Sequence, residues 1–296
     1  MPASTHRRKT STRTRPAVPG SSAPYRGPIL DVHAHPWLEG FPTIRSGAHG
    51  PSEYLADTAG LDLRGAAALA MAPRGDLGRT KAFNDAVLAL AKAPGSRFYA
   101  VCSVHPEDAE GALAEVSRVR LAGARGLKLH PNTQQFDVAD PRVTEVVRRA
   151  AEEKLPVLFD AYSPFDADQP GKFVRLAMAV PDAKLVLAHA HGPRFADLLV
   201  YEILARYDWW RRNVYVDLSA TTTLLAGGPF APSYLWVLRK VGVDRLLFGS
   251  DYPLDAPKEA VAAVAGLGFT EEELDRIFFR NASELYGFPT EAPHPP

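Results

Sequence analysis

Eight short apolar segments recur along the chain, and most of them are followed by a segment with helical periodicity. The eight are PILDV (28–32), GAAALAMA (65–72), RFYAVCSV (97–104), ARGLKL (124–129), LPVLFD (155–160), AKLVLA (183–188), NVYVDLS (213–219) and DRLLFGS (244–250). Repeated strand–helix units favour a parallel sheet, and eight of them in about 250 residues predict a closed (β/α)8 TIM barrel of the α/β class. A doubly wound open sheet is the alternative, but no glycine-rich phosphate loop follows the first segment.

Helix signals stand between and after these segments. Asp140 is placed to cap a helix that has Pro141 at its first position. Near the end of the chain, Thr270 and Glu273 have the spacing of a capping box, which predicts an additional C-terminal helix.

The charge of the chain is unevenly distributed although the net charge is zero. Residues 1–26 carry six basic residues and no acid, which leaves the remainder at −6. We therefore expect a disordered basic tail (1–26), one barrel domain (27–288) and a loose proline-rich end (289–296). An organelle transit peptide is the alternative for the tail, which lacks the apolar stretch of a secretory signal. The acidic body argues against a nucleic-acid partner, and no apolar window is long enough for a membrane span.

Cys102 is the only cysteine, so no internal disulfide forms and a reducing, cytoplasmic location fits. The aromatic run YDWW (207–210) follows a predicted helix that carries Leu198, Leu199 and Ile203. We interpret this run as core rather than as a homodimer face, although a homodimer remains an alternative.

The histidines are concentrated where the predicted strands end. Of the nine histidines, the six at strand ends are His33, His35, His105, His130, His189 and His191. In a barrel of this kind, functional groups occur at the carboxyl ends of the strands, and Asp160, Asp217 and Asp251 reach the same edge.

His33 and His35 lie two residues apart in ILDVHAHPW, at the end of the first strand. Residues i and i+2 of a strand project from the same face, so both imidazoles can point to one cation near the barrel axis. Asp251, after the last strand in LLFGSDYP, can bind the same cation and accept a proton from its water. The alternative without a metal is that one histidine caps the strand, the other is solvated, and Asp251 forms a turn or caps a helix.

Four motifs follow one another along the chain, namely DVHAHP (31–36), GLKLHP (126–131), LVLAHAHG (185–192) and LLFGSDYP (246–253), with NASELYG (281–287) after them. With these motifs, the chain resembles the amidohydrolase superfamily over roughly residues 28–288. It looks most like the branch of aminocarboxymuconate-semialdehyde decarboxylase and related small metal-dependent hydrolases.

The resemblance implies that His33, His35 and Asp251 are metal ligands. It implies that Asp251 also helps to activate the bound water, and that His189 is a base or an electrostatic partner of the substrate. The family usually has a histidine ligand at the end of strand 5, where this chain has Asp160. Asp160 can still be a ligand, His189 can take its place, or the site can be free of metal.

Further residues are expected to contact substrate. Lys128 and His130 share a face of strand 4, and Lys128 is predicted to pair with Asp160 or with a substrate carboxylate. A carbamylated strand-4 lysine that bridges two metals is the less favoured role. Trp37 and Tyr162 are expected to form apolar pocket walls. Asp217 is a candidate partner for the second nitrogen of a ligating histidine.

Together these features predict a hydrolase that cleaves an amide, lactone or cyclic ester of a small carboxylated molecule. A non-hydrolytic decarboxylase or hydratase with the same site is one alternative, and a metal-free binding or scaffold barrel is another. The expected cofactor is one divalent ion, zinc first, with manganese or iron as alternatives because two carboxylates would make the site harder.

Overall fold

The computed structural model describes residues 25–289. Its strands are β1 (Pro28–Asp31), β2 (Asp62–Leu69), β3 (Phe98–Ser103), β4 (Gly126–Leu129), β5 (Val157–Asp160), β6 (Leu185–Ala188), β7 (Val214–Asp217) and β8 (Leu246–Leu247). They pair in chain order, each parallel to the next, in one eight-stranded sheet. The predicted TIM barrel is confirmed, and each strand overlaps its predicted apolar segment, although β2 begins and ends three residues earlier than its segment.

Helices and single turns connect the strands. The α-helices are α1 (Pro51–Asp57), α2 (Leu77–Lys92), α3 (Glu110–Leu121), α4 (Pro131–Gln134), α5 (Pro141–Glu152), α6 (Gln169–Ala179), α7 (Leu199–Leu204), α8 (Thr221–Leu225), α9 (Ala231–Val241), α10 (Pro257–Ala265), α11 (Glu271–Asp275) and α12 (Asn281–Tyr286). Short 3-10 segments lie at Pro106–Asp108, His189–Leu198 and Val243–Arg245. Asp140 caps α5, and Thr270 and Glu273 form the predicted capping box of α11.

The first and last strands meet along a seam that closes the barrel. Val32 donates its backbone N–H to Phe248 at 3.0 Å, and His35 donates to Tyr252 at 2.7 Å. Asp251 donates in the opposite direction, to the carbonyl of His33 at 2.8 Å. The seam therefore consists of the residues that flank and include the predicted metal ligands.

The core has two parts, which is what a closed barrel requires. An outer cluster fills the space between strands and helices, with Leu127, Phe159 and Leu187 among its fully buried members. A smaller cluster includes Leu158 and Val186, and the C-terminal helix adds Tyr286 to it. Because both faces of each strand are buried, the strands are apolar runs rather than alternating ones.

The C-terminal segment is less regular than the single helix predicted for it. A π-helical stretch, Arg276–Arg280, joins α11 to α12. Ile277 accepts a hydrogen bond from the backbone of Phe248 at 3.0 Å, and the Asn281 amide donates to the carbonyl of Leu246 at 2.8 Å. The segment thus fixes the start of the short strand β8.

Most of the predicted basic tail (1–26) and of the loose end (289–296) lies outside the described residues. Within residues 25–289, every helix is too short or too polar to cross a lipid bilayer. The YDWW run divides between two environments, because Trp210 is buried whereas Tyr207 and Trp209 are about half exposed. The core interpretation therefore fits Trp210 alone, and a homodimer face stays a prediction.

Candidate active site

A cavity of about 760 Å³ opens at the carboxyl ends of the strands. Its lining includes most of the predicted site residues, namely His33, His35, Trp37, Lys128, His130, Asp160, His189 and Asp251. Tyr162 is the exception, because its ring packs against Gly192, where an added Cβ would lie 2.9 Å from the ring. Its role as a substrate contact stays a prediction, whereas the other side chains are brought together as expected from their positions at strand ends.

Three of these side chains converge closely. The Nε2 atoms of His33 and His35 are 3.1 Å apart, and Asp251 Oδ1 lies 3.5 Å from the first and 3.9 Å from the second. One donor atom from each residue lies within 4.8 Å of the others. Two imidazoles and a carboxylate at this spacing fit the ligand set of a divalent cation. Asp160 lies outside this group, so its role as a ligand stays a prediction.

Asp217 fixes the orientation of His33. Its Oδ2 atom lies 2.6 Å from Nδ1 of His33 in a completely buried pair, which assigns the ring proton to Nδ1. Burial and the charge of Lys128 lower the pKa of His33 well below its usual value, so the ring is neutral and its Nε2 lone pair is available. Asp217 is the candidate partner for the second nitrogen of a ligating histidine; the structure shows its contact with Nδ1 of His33, and ligation by His33 stays a prediction.

A glycine allows this close packing beneath the site. A Cβ added to Gly249 would lie 2.7 Å from the Cβ of His33 and would also collide with the carboxylate of Asp217. Only glycine leaves room for both groups at this point of the LLFGSD motif. Two residues later, Asp251 has a left-handed backbone with φ 58°, and burial raises its pKa to about 6.

Asp31 joins the two sides of the site from below. Its carboxylate accepts hydrogen bonds from the backbone N–H groups of His33 and Ser250, each at 3.0 Å, and from the Tyr54 hydroxyl at 2.8 Å. Asp31 and the residues that carry these three donors are all buried, so water cannot replace the carboxylate as their acceptor. Asp31 therefore holds the backbone before Asp251 against the strand that carries the histidines.

His189 and Asp160 form a second pair across the cavity, with 3.2 Å between Nε2 and Oδ2. Burial alone would lower the pKa of His189, but the carboxylates of Asp251 and Asp160 outweigh it and raise this pKa to about 9. The pKa of Asp160 is lowered, because His189 outweighs the effect of burial there. The Nδ1 atom of His189 lies 3.0 Å from the Ser219 hydroxyl, which itself donates to Asp217. This geometry fits an imidazolium with both nitrogens protonated.

This imidazolium predicts a pH dependence of stability. The folded-state pKa of His189, about 9, lies above its usual value of 6.5, so its contribution is complete below pH 6.5 and is lost as pH rises through 9. In protein depleted of metal, the free energy of unfolding should therefore fall by about 3 kcal/mol across that window. Urea unfolding at several pH values measures it, and His189→Gln should flatten the profile. A variant with the slope of the wild type would contradict the assignment.

The backbone around His189 departs from ordinary geometry. His189, Ala190 and His191 have φ values of 62°, 44° and 60°, three consecutive left-handed residues directly after β6. Such conformations are costly for residues other than glycine and occur preferentially at functional sites. Thr221 donates to the carbonyl of His189 at 2.6 Å and supports this turn.

Lys128 and His130 line the cavity from β4, as their shared face predicts. Lys128 is almost completely buried, and its Nζ lies 3.1 Å from Nε2 of His33. His130 Nε2 lies 3.4 Å from Oδ2 of Asp160, and burial lowers the pKa of His130 to about 4. The site thus presents a buried amine, a neutral imidazole and an ion pair on the side facing the three converging donors.

Sequence reasoning missed Ser219 and Asp31. Ser219 lies two residues after Asp217, so the period-2 rule could have placed it on the same face. Asp31 precedes His33 by the same interval, but its contacts to Tyr54 and Ser250 come from remote segments. His105, another strand-end histidine, is occupied by the backbone: its Nε2 lies 2.7 Å from the carbonyl of Gln134 at the end of α4, and its Nδ1 accepts from the N–H of Glu107.

The amidohydrolase family model matches residues 30–288, and the chain belongs to this family. No curated protein sequence matches the chain.

Solved structures share the barrel at low sequence identity. A 2,6-dihydroxybenzoate decarboxylase from Rhizobium is 15% identical with a TM-score of 0.69, covering 89% of this chain and 99% of that one. A probable 2-pyrone-4,6-dicarboxylic acid hydrolase from Acinetobacter baumannii is 15% identical with a TM-score of 0.63, covering 88% and 99%. A 5-carboxyvanillate decarboxylase from Novosphingobium aromaticivorans, complexed with manganese, is 17% identical with a TM-score of 0.62, covering 79% of each chain. Both decarboxylases and a hydrolase are therefore similar in fold to this chain.

Proposed function

We propose that this protein is a metal-dependent hydrolase that cleaves an amide, lactone or cyclic ester bond in a small carboxylated molecule. The observation that carries the proposal is the convergence of His33, His35 and Asp251 on one point of the cavity wall. The buried Asp217 contact presents His33 in the neutral form that a cation requires. The donor set therefore fits one divalent ion, and zinc and manganese are the proposed occupants.

The ion, when bound, lowers the pKa of a coordinated water and polarises a carbonyl group. Asp251 Oδ1 is the carboxylate atom nearest the two imidazoles, which leaves Oδ2 to accept the proton of the attacking water. His189 carries a proton on Nε2, which faces Asp160, and this cation stabilises the negative charge that develops on the substrate oxygen. The ion pair with Asp160 keeps this ring protonated, which suits it to charge stabilisation and proton donation rather than to proton removal.

Substrate binding follows from the composition of the cavity. Apolar side chains, among them Trp37, Phe41, Leu69 and Met71, form the walls around the polar group at the strand ends. An amine at Lys128 and an imidazole at His130 are available to a carboxylate that enters this end. The proposed partner is accordingly a small carboxylated molecule.

A decarboxylase is the second candidate. The observation in its favour is that Lys128 lies directly beside the His33 donor atom, so a substrate carboxylate drawn to the amine would sit next to the cation. Decarboxylases occur among the structurally similar proteins, which supports the same reading. The residues at the cation are alike for the two reactions, so products must separate them.

Product analysis tests the proposal. The manganese- or zinc-loaded chain is incubated with 2-pyrone-4,6-dicarboxylic acid, 2,6-dihydroxybenzoate and 5-carboxyvanillate, and both carbon dioxide and ring-opened acid are quantified. Ring opening without carbon dioxide supports the hydrolase, whereas carbon dioxide release replaces it with the decarboxylase. Asp251→Asn keeps the shape of the side chain but removes the proton acceptor and the charge of a proposed ligand; it is the matched control and should lower turnover about 10³-fold.

A further inference from the structure

We propose that Lys128 sets the metal affinity of this site by competing for the lone pair of His33, and that its amine moves to Asp160 when His33 ligates the metal. The inference rests on the metal site of the proposed function. It concerns one contact that this site does not otherwise explain, the 3.1 Å approach of Lys128 Nζ to His33 Nε2.

The competition follows from the number of lone pairs on His33. A neutral imidazole has one protonated nitrogen and one nitrogen that accepts. Nδ1 of His33 is committed to Asp217 at 2.6 Å, which leaves Nε2 as the accepting nitrogen. Nε2 is also the atom that lies 3.1 Å from Nε2 of His35 and 3.5 Å from Asp251. Donation from Lys128 and ligation of a cation therefore use the same lone pair, and each excludes the other.

Lysine carries an N–H donor in either protonation state, so this competition does not depend on its charge. Charge adds to the competition, because an ammonium beside His33 repels a divalent cation. Lys128 is almost completely buried, so its amine cannot retreat to solvent. It needs another acceptor within the cavity if His33 is to become a ligand.

Asp160 is placed to be that acceptor. Lys128 pairs in register with Leu158 on the neighbouring strand, and Asp160 lies two residues further toward the cavity on the same face. Oδ2 of Asp160 faces His189 and His130, whereas Oδ1 is buried without a hydrogen-bond partner among the described residues. An amine moved from His33 would satisfy this unpartnered oxygen.

Asp160 then acts on the metal through Lys128 rather than as a ligand. This accounts for an aspartate that lines the cavity yet lies outside the group of three converging donors. Asp160→Asn alone cannot separate this indirect role from ligation, because it weakens metal binding in both cases. The two roles differ only when Lys128 is also replaced.

A double-mutant cycle tests the inference. Zinc and manganese dissociation constants are measured by competition with a chromophoric chelator for the metal-depleted full chain, Lys128→Met, Asp160→Asn and the double variant. Lys128→Met should bind about tenfold more tightly, the factor that corresponds to one charge-assisted hydrogen bond. Asp160→Asn should bind about tenfold more weakly, and should have no effect once Lys128 is methionine.

Lys184→Met is the matched control. It removes the same charge from an exposed residue that precedes β6, at the opposite end of the strands, and should leave the dissociation constant unchanged. Lys128→Met binding no tighter than wild type overturns the lysine inference alone. An equal effect of Asp160→Asn in both backgrounds also overturns it and makes Asp160 a ligand. Absence of metal binding in every protein overturns the proposed function as well.

A measurement on the wild type covers the case in which Lys128→Met does not fold. In protein labelled with 15N-lysine, the Lys128 Nζ resonance should shift on addition of zinc while the resonance of Lys184 stays in place. A Lys128 resonance unchanged at saturating zinc overturns the inference.

Discussion

His33→Ala should abolish stoichiometric metal binding and, with it, catalysis. Replacement of a residue that only supports a ligand, such as Asp217, typically costs about 10–100-fold in metal affinity. His33 supplies the donor atom that lies nearest to both His35 and Asp251, so its loss should exceed that range. Elemental analysis after gel filtration measures the metal content, and the change in turnover is followed with any substrate that the wild type converts.

His49→Ala is the control for this experiment. His49 also lines the cavity, but its ring bonds to the carbonyl of Ser46 and lies outside the group of three donors. The His49→Ala variant should keep about one ion per chain. A His33→Ala protein that still holds one ion per chain would refute the metal site, whereas equal loss in both variants would point to a different site that includes His49.

Asp31→Ala should lower the free energy of unfolding by about 4 kcal/mol. The substitution leaves three buried donors without an acceptor, and each unsatisfied group typically costs about 1–3 kcal/mol. These donors are the backbone N–H groups of His33 and Ser250 and the hydroxyl of Tyr54. Urea unfolding of the metal-depleted protein measures the effect free of any contribution from ligand binding.

Two milder variants, Tyr54→Phe and Asp31→Asn, remove only part of the hydrogen bonding around Asp31. The first removes one donor and keeps the aromatic packing, so we expect a loss of about 1 kcal/mol. The second keeps a carbonyl oxygen for the two backbone donors and should be milder than Asp31→Ala. If Asp31→Ala is no more destabilising than Tyr54→Phe, the carboxylate does not hold the two segments together.

The strands and the side chains that project from their ends could be predicted from the sequence. Alternation within a strand placed His33 beside His35 and Lys128 beside His130, and the carboxyl-end rule placed Asp251 with them. These inferences need only chain order and a period of two residues. They succeed because a parallel barrel brings all of its strand ends to one rim.

Contacts that depend on three or more segments could not be predicted in this way. Asp160 was correctly placed at the end of β5, but its pairing with His189 follows from the left-handed turn after β6, which no local signal reveals. The hydroxyl of Ser219 lies near both His33 and His189 because β7, which it follows, lies between β6 and the β8–β1 seam. Tyr162 was expected in the cavity, and its ring packs instead on Gly192, a neighbour that is distant in sequence.

The seam between β1 and β8 has a consequence for synthesis of the protein. The two ends of the described chain supply opposite halves of the donor group, and the backbone bonds that join those ends are made by the same residues. A ribosome must therefore synthesise the barrel through its last strand before the three donors of the candidate metal site can converge. Nascent fragments that stop short of that strand would carry the histidine pair without the carboxylate opposite it, so the candidate site forms only when the ring is complete.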